Sequence, residues 1–208
     1  MAKIKVKGKA EQEYKADKCR ISLTVQSNKE TSDKASKSVC TQIELLLRQL
    51  LELGIQPKDI EVVSDNITET RRYDSNDSSY QSERGLCFCL PAEVKAINKI
   101  RQIIEDGYED VSLRTEYFIS NEKELQKQLL MDAIADSRAR ADVFAKATGR
   151  EVINVHTADL DNQDWEMYSG ECERGRLLKS ASPYSLSDQL TPEKIKLSAD
   201  VAITWIVS

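Results

Sequence analysis

The feature that most constrains this chain is strict alternation of polar and apolar side chains near both of its ends. At residues 3–10, four lysines share one face while apolar or small side chains share the other, the period-two pattern of a half-buried strand. A longer stretch, 194–207, places seven apolar side chains on one face: Ile195, Leu197, Ala199, Val201, Ile203, Trp205 and Val207. Strands with one apolar face need a covering layer, so we expect a sheet with helices packed on it.

Three helices are predicted between these strands, over about 32–53, 92–106 and 122–148. Each is followed by a glycine, a residue that readily takes the left-handed conformation found at helix C-termini. The third has Asn121 at its cap with Glu124 three residues on, as in a capping box. Its predicted buried stripe is Leu130, Ile134, Ala141 and Phe144.

Further strands are predicted at about 17–29, 60–72, 86–90, 110–120 and 150–159. The connection from 3–10 to 17–29 is polar, so these two are expected to pair antiparallel. Residues 86–90 are apolar on both faces, as in a central strand that is covered on both sides. The order strand-strand-helix-strand-strand-helix-strand-helix-strand-strand predicts an α+β fold. We expect residues 1–208 to form one domain, an antiparallel sheet of about seven strands with three helices on one face.

Residues 160–193 show no periodicity, and a structureless stretch of this length is unusual within a compact domain. Its aromatic residues argue against simple disorder, because aromatic side chains favour contact. The candidates for interaction in this segment are Trp165, Tyr168, Cys172 and Tyr184. Two interpretations stay open. The segment is a flap over a groove or an arm that reaches a neighbouring subunit, or it is a poorly ordered insertion.

The composition excludes several kinds of site. A single histidine, His156, rules out a zinc site with two imidazoles and any relay of histidines. The net charge of −5 gives no general electrostatic reason to bind nucleic acid or an anionic membrane. No apolar run approaches the ~18 residues of a membrane span. No phosphate-binding loop or GxGxxG motif is present, so we expect no cofactor and no metal, and assign no catalytic residue.

The five cysteines have unpatterned spacings, and no secretion signal is visible. We therefore expect reduced thiols and a cytoplasmic location, or a periplasmic location if a signal was removed. Cys87 and Cys89 share one face of a predicted strand, where we expect them to be buried and to behave as apolar side chains. Cys172 is expected to be the most exposed thiol, with a reactivity that its neighbours Glu171 and Glu173 reduce.

The row of Lys3, Lys5, Lys7 and Lys9 has two interpretations. It could bind a phosphate-rich partner, or it could prevent an exposed strand from pairing with other chains. Because the chain is acidic overall, the sequence favours the protective interpretation.

Several local patterns, taken in order along nearly the whole chain, resemble the SIMPL domain family of bacteria and archaea. They are Val6-Lys7-Gly8, Asp17 leading into Ile21-Ser22-Leu23-Thr24-Val25, Leu53-Gly54-Ile55 with Lys58-Asp59-Ile60, the helix Asp132-Ala133-Ile134-Ala135-Asp136-Ser137-Arg138-Ala139-Arg140-Ala141, and the C-terminal strand. The resemblance implies an α+β domain that forms ring-like or other symmetric homo-oligomers. It also implies frequent export to the periplasm and, for some members, a link to oxidative or envelope stress. The family has no established catalytic residues, so none is carried over.

The leading hypothesis from the sequence is a non-enzymatic, self-assembling scaffold or binding protein that forms a homo-oligomer. A competing hypothesis is a small-molecule hydrolase or thiol redox protein that uses segment 160–193 with Cys172 or His156, which places those side chains in one cleft. A third is a stress-linked chaperone that binds exposed apolar segments.

Overall fold

The computed structural model describes residues 2–71, 78–159, 190–192 and 194–208, and every structural statement below concerns these residues. They form seven strands and three α-helices in the predicted order, which confirms the α+β class. The elements are β1 (Ala2–Lys15), β2 (Lys18–Lys29), α1 (Ser32–Glu52), β3 (Glu61–Arg71), β4 (Ser78–Pro91), α2 (Val94–Gly107), β5 (Val111–Phe118), α3 (Glu122–Ala147), β6 (Val152–Asp159) and β7 (Lys194–Val207). A single 3₁₀ turn, Pro57–Asp59, precedes β3. None of these helices combines the length and the apolar character needed to cross a membrane.

The strands form two antiparallel sheets where one was expected, with strand orders β1-β7-β6 and β3-β4-β2-β5. The described chain divides into two compact units in the same way. The first unit comprises 2–15, 119–159 and 194–208, and the second comprises 16–71, 78–118 and 190–192. The expected β1–β2 pair is wrong, because β1 pairs with β7 while β2 pairs with β4 and β5.

In the first unit, β1 and β7 pair along all 14 residues of each strand. Residues 11–15, expected to be a polar connection, belong to β1. Charge pairing across the two strands explains their extended conformation: Glu11 contacts Lys196 at 2.8 Å, and Glu13 contacts Lys194 at 3.0 Å.

Helix α3 covers one face of β1 and β7 with an unusually small set of side chains. Its buried residues are Leu129, Ala133, Ser137, Ala141 and Ala145. The stripe predicted from large apolar residues is therefore wrong in part, since Phe144 is 52% exposed. The reason is the closeness of helix and strand. A Cβ added at Gly8 would overlap the carbonyl oxygen of Ala133 and lie 2.7 Å from the Ser137 nitrogen.

Two polar contacts fix α3 on its sheet. The buried Trp205 Nε1–H donates a hydrogen bond to the fully buried Ser137 Oγ at 3.0 Å. At the edge of β1, the Lys9 backbone N–H donates to Asp136 Oδ2 at 2.9 Å. This hydrogen bond, together with the nearby Arg140 guanidinium, lowers the pKa of Asp136. The predicted capping box is absent, because the Asn121 side chain makes no capping hydrogen bond.

The second unit runs β2-α1-β3-β4-α2-β5 with strand order β3-β4-β2-β5, the ferredoxin-like arrangement of two interleaved βαβ halves. Both helices pack on one face of the sheet. The core contributed by β2, α1 and α2 consists of Cys19, Ile21, Leu23, Val25, Val39, Ile43, Leu46, Leu50, Ile97, Ile100 and Ile104. Burial raises the pKa of the Cys19 thiol to about 11.

The opposite face of this sheet is open among the described residues, so the expectation that β4 is covered on both sides is wrong. Leu86 and Phe88 are buried under the helices, whereas Cys87 is only half-buried and Cys89 is exposed. The two thiols do share one face, as the period of a strand requires. An apolar run of five residues predicted a covered strand, but cysteine tolerates both environments.

Candidate binding site

Of the side chains that the sequence singled out for a site, the structure describes His156 but not the interaction candidates of segment 160–193. Trp165, Tyr168, Cys172 and Tyr184 lie outside the described residues. His156 is exposed on β6, where its Nε2 lies 2.7 Å from Lys3 Nζ. No described His, Cys, Asp or Glu residues form a group of three that could hold a metal ion.

The clearest concave surface lies in the second unit, beside α1 and α2. A hollow of about 270 Å³ is lined by Leu53, Ile55, Leu90, Pro91, Glu93, Lys95, Ala96, Lys99 and Ile100. A neighbouring hollow of about 350 Å³ is lined by Gln49, Leu53, Lys99, Gln102, Ile103, Asp106 and Gly107. Leu53 and Lys99 belong to both linings, so the two hollows adjoin. We call them together the α1–α2 groove.

The end of α1 builds one wall of this groove. Gly54 takes a φ of +87°, and the Ile55 N–H donates to the Leu50 carbonyl at 3.0 Å, so the chain reverses sharply after the helix. The reversal buries Ile55 at 7% exposure and leaves Leu53 38% exposed at the groove surface. Gly54 therefore allows Ile55 to lie below the groove while Leu53 lies along its surface.

The start of α2 builds the facing wall. Pro91 ends β4, and the backbone N–H of Glu93 donates to the Pro91 carbonyl at 2.7 Å before the helix begins at Val94. Lys95 and Lys99 then follow one turn apart, with the buried Ile100 below them. The spacing of four residues puts both ammonium groups on one side of the helix.

The second hollow is held in shape by a hydrogen bond between helix and loop. Tyr108 Oη–H donates to Gln49 Oε1 at 2.8 Å, and burial raises the pKa of the Tyr108 hydroxyl. The Gln49 side chain, which lines the second hollow, is thereby fixed in one orientation.

The first hollow of the groove has apolar walls and a charged rim. Two ammonium groups, Lys95 and Lys99, outnumber the single carboxylate of Glu93 around the first hollow. Among the described residues, the lining of both hollows contains no serine, cysteine, histidine or tyrosine. An apolar recess with a few polar groups at its margin is suited to binding.

Sequence reasoning missed this groove, although two signals were present. Leu53 and Pro91 are apolar residues at the ends of elements, where a side chain can lie outside the core. Lys95 and Lys99 are four residues apart, as on one side of a helix. What the sequence did not reveal is that the end of α1 lies against the start of α2. That adjacency depends on the strand order of the sheet.

The second unit defines the class of protein. It is a ferredoxin-like α+β module with a groove beside α1 and α2. The chain belongs to the SIMPL family, whose model matches residues 4–205. The description of this family is "protein of unknown function (DUF541)".

Two curated relatives are similar along most of the chain. They are the mouse and human proteins named interleukin-1 receptor-associated kinase 1-binding protein 1, each 21% identical, with matches that cover 98% of this chain and 76% of the relative. Among solved structures, CutA from Synechococcus elongatus PCC7942 is 14% identical and matches 52% of this chain and 83% of its own, with a TM-score of 0.29. That last likeness carries no argument about function.

Proposed function

We propose that this protein is a non-enzymatic scaffold, which binds an apolar segment of a partner protein in the α1–α2 groove and also assembles with itself. The observation that carries the proposal is the first hollow of the groove, a recess of about 270 Å³ with apolar walls and a charged rim. The name of the mouse and human relatives describes proteins that bind another protein, which supports a binding role for this chain.

The rim indicates what the bound segment contains. The hollow has room for one or two apolar side chains, and such anchors supply most of the energy of a small interface. Lys95 and Lys99 favour a carboxylate beside the anchor, since two cations face one anion at the rim of the first hollow. The proposed occupant is therefore a protein segment with a large apolar residue next to an acidic one.

Replacing Leu53 by glutamate tests the groove. The probe is anilinonaphthalene sulfonate, an apolar ring system that carries one anion and thus combines the two features of the proposed occupant. We expect Leu53→Glu to weaken its binding about tenfold, because the substitution removes apolar contact area and adds a like charge. The measurement is a fluorescence titration, and thermal unfolding monitors the fold.

Leu45→Glu is the matched control. Leu45 lies on α1, the helix that Leu53 caps at its C-terminus, and is 50% exposed, but it does not line the groove. The control should bind the probe as the original protein does. Equal weakening by both substitutions, or by neither, would contradict the proposed site.

Self-assembly is supported by exposed apolar side chains of the first unit. Their exposures run from 40% to 70%: Met131, Val143 and Phe144 on α3, and Ile153 and Val155 on β6. We expect light scattering at micromolar concentration to give a multiple of 23.5 kDa, and we expect Val143→Asp or Ile153→Asp to lower that mass. The mass of a single chain for the unaltered protein would contradict self-assembly.

The hydrolase or thiol redox alternative takes second place. The form that uses His156 needs the imidazole in a cleft beside a nucleophile, but the imidazole is exposed and contacts the Lys3 ammonium group, which is neither a hydroxyl nor a thiol. Cys172, on which the other form depends, lies outside the described residues. A chaperone-like activity, a link to stress and a cytoplasmic location stay predictions. Suppression of aggregation of a client protein would test the first of these.

A further inference from the structure

One face of the first unit's sheet carries an unbalanced row of lysines. Side chains of β1 alternate, so the residues on the other side of the strand face α3, while Lys3, Lys5 and Lys7 point away from it and are exposed. We call these three residues the lysine face. The β7 residues directly opposite them, Ile206, Thr204 and Ala202, are uncharged.

The same row is neutralised further along β1. Lys9 contacts Glu11 at 3.0 Å, and Glu11 and Glu13 also contact lysines of β7. In the described part of the chain, no carboxylate lies within ion-pair distance of the lysine face. The uncompensated charge is therefore confined to one half of β1.

Two other titratable groups border the lysine face from β6. His156 Nε2 lies 2.7 Å from Lys3 Nζ and supplies no negative charge. Asp159 aligns with Ala202, which in turn aligns with Lys7, so its carboxylate lies two strands away. Neither group neutralises the row, and an anion from outside the unit can do so.

We propose that the lysine face binds an extended acidic segment of a partner protein, with carboxylates at every second residue. Alternate side chains on a strand recur every ~6.6 Å, and an extended peptide repeats its own alternate side chains at the same interval. Such a segment can therefore match successive lysines without distortion. This surface is independent of the α1–α2 groove.

A protein segment fits this surface better than single-stranded nucleic acid does. Proteins that bind single strands stack bases on aromatic side chains, and the β7 residues opposite the lysine face are isoleucine, threonine and alanine. The net charge of −5 also repels a polyanion at a distance, whereas a short peptide carries few charges to repel.

Fluorescence anisotropy with labelled peptides tests the proposal. The probe is a peptide of about ten residues in which Asp alternates with Thr, compared with a peptide of the same composition whose Asp residues are contiguous. We expect the alternating peptide to bind more tightly, and we expect the triple variant Lys3→Gln, Lys5→Gln, Lys7→Gln to weaken it about tenfold. Added salt should weaken the same complex.

The matched control is Lys37→Gln, Lys58→Gln, Lys127→Gln, which changes the net charge equally at exposed lysines elsewhere. The control should keep the affinity of the original protein. Equal weakening in both triple variants, equal affinity for both peptides, or tighter binding of a thymidine oligonucleotide of matched length would each overturn the proposal. If the triple variant aggregates, the single variant Lys5→Glu carries the test with the same expected and contrary outcomes.

Discussion

The smallest residues of the first unit determine how closely its layers approach. Gly8 has no Cβ, and the backbone of α3 occupies the space where one would lie. Ser137, one of the helix residues at that contact, is fully buried and accepts the hydrogen bond of the Trp205 indole. A buried indole N–H without a partner would destabilise the unit. Ser137 is small enough for the close contact between α3 and β1, and its hydroxyl also accepts the hydrogen bond of the indole.

Gly8→Ala tests this contact directly. Since the new methyl would overlap helix backbone, which cannot rotate away, we expect a loss of about 1–3 kcal/mol in the free energy of unfolding. Urea denaturation followed by tryptophan fluorescence measures it. Gly107→Ala is the control, because no atom lies within 4 Å of a Cβ at that position and its φ is not positive. A Gly8→Ala variant as stable as the control would show that helix and strand can separate at little cost.

At the scale of elements, the sequence predicted what each segment is but not what it contacts. Terminal glycines and periodicity placed all three helices close to their observed bounds, because these signals act within a few residues. Strand pairing depends on residues far apart in the chain, and β1 finds its partner at β7. The single expected sheet and the β1–β2 pair were wrong for that reason.

Helix α3 shows a second limit of pattern reasoning. Large apolar residues predicted its buried stripe, yet Phe144 is exposed and Ala133, Ser137 and Ala145 are buried. A helix that lies directly on a strand needs small side chains at the contact. Hydrophobic periodicity shows which residues are apolar but takes no account of the size of their side chains. The α1–α2 groove was missed on similar grounds, because its walls come from the ends of two elements that the strand order brings together.

At the scale of the whole molecule, the two units differ in how they use the chain. Almost all of the second unit is one continuous stretch, 16–118, and its core residues lie within that stretch. The first unit is assembled from three stretches, one of which precedes residues 16–118 in the sequence while two follow them. Continuity favours independent folding, since every element needed for the core is supplied locally.

We therefore expect residues 16–118, expressed alone, to fold with a cooperative urea transition and the helix signal of α1 and α2 in far-ultraviolet circular dichroism. The same fragment with Leu23→Asp, which places a charge in the core, should show no such transition. An unfolded fragment without that substitution would mean that this unit needs the rest of the chain.

The pairing of β1 with β7 also has a consequence during synthesis. Lys15 ends β1 and Lys194 opens β7, so at about 5–20 residues per second the first strand waits on the order of ten seconds or more for its partner to emerge from the ribosome. During that interval β1 has no strand to pair with, and a lysine at every second position keeps a nascent strand from pairing with its neighbours on a polysome. We therefore expect the lysine row of β1 to matter most during synthesis, before β7 has emerged and can pair with β1.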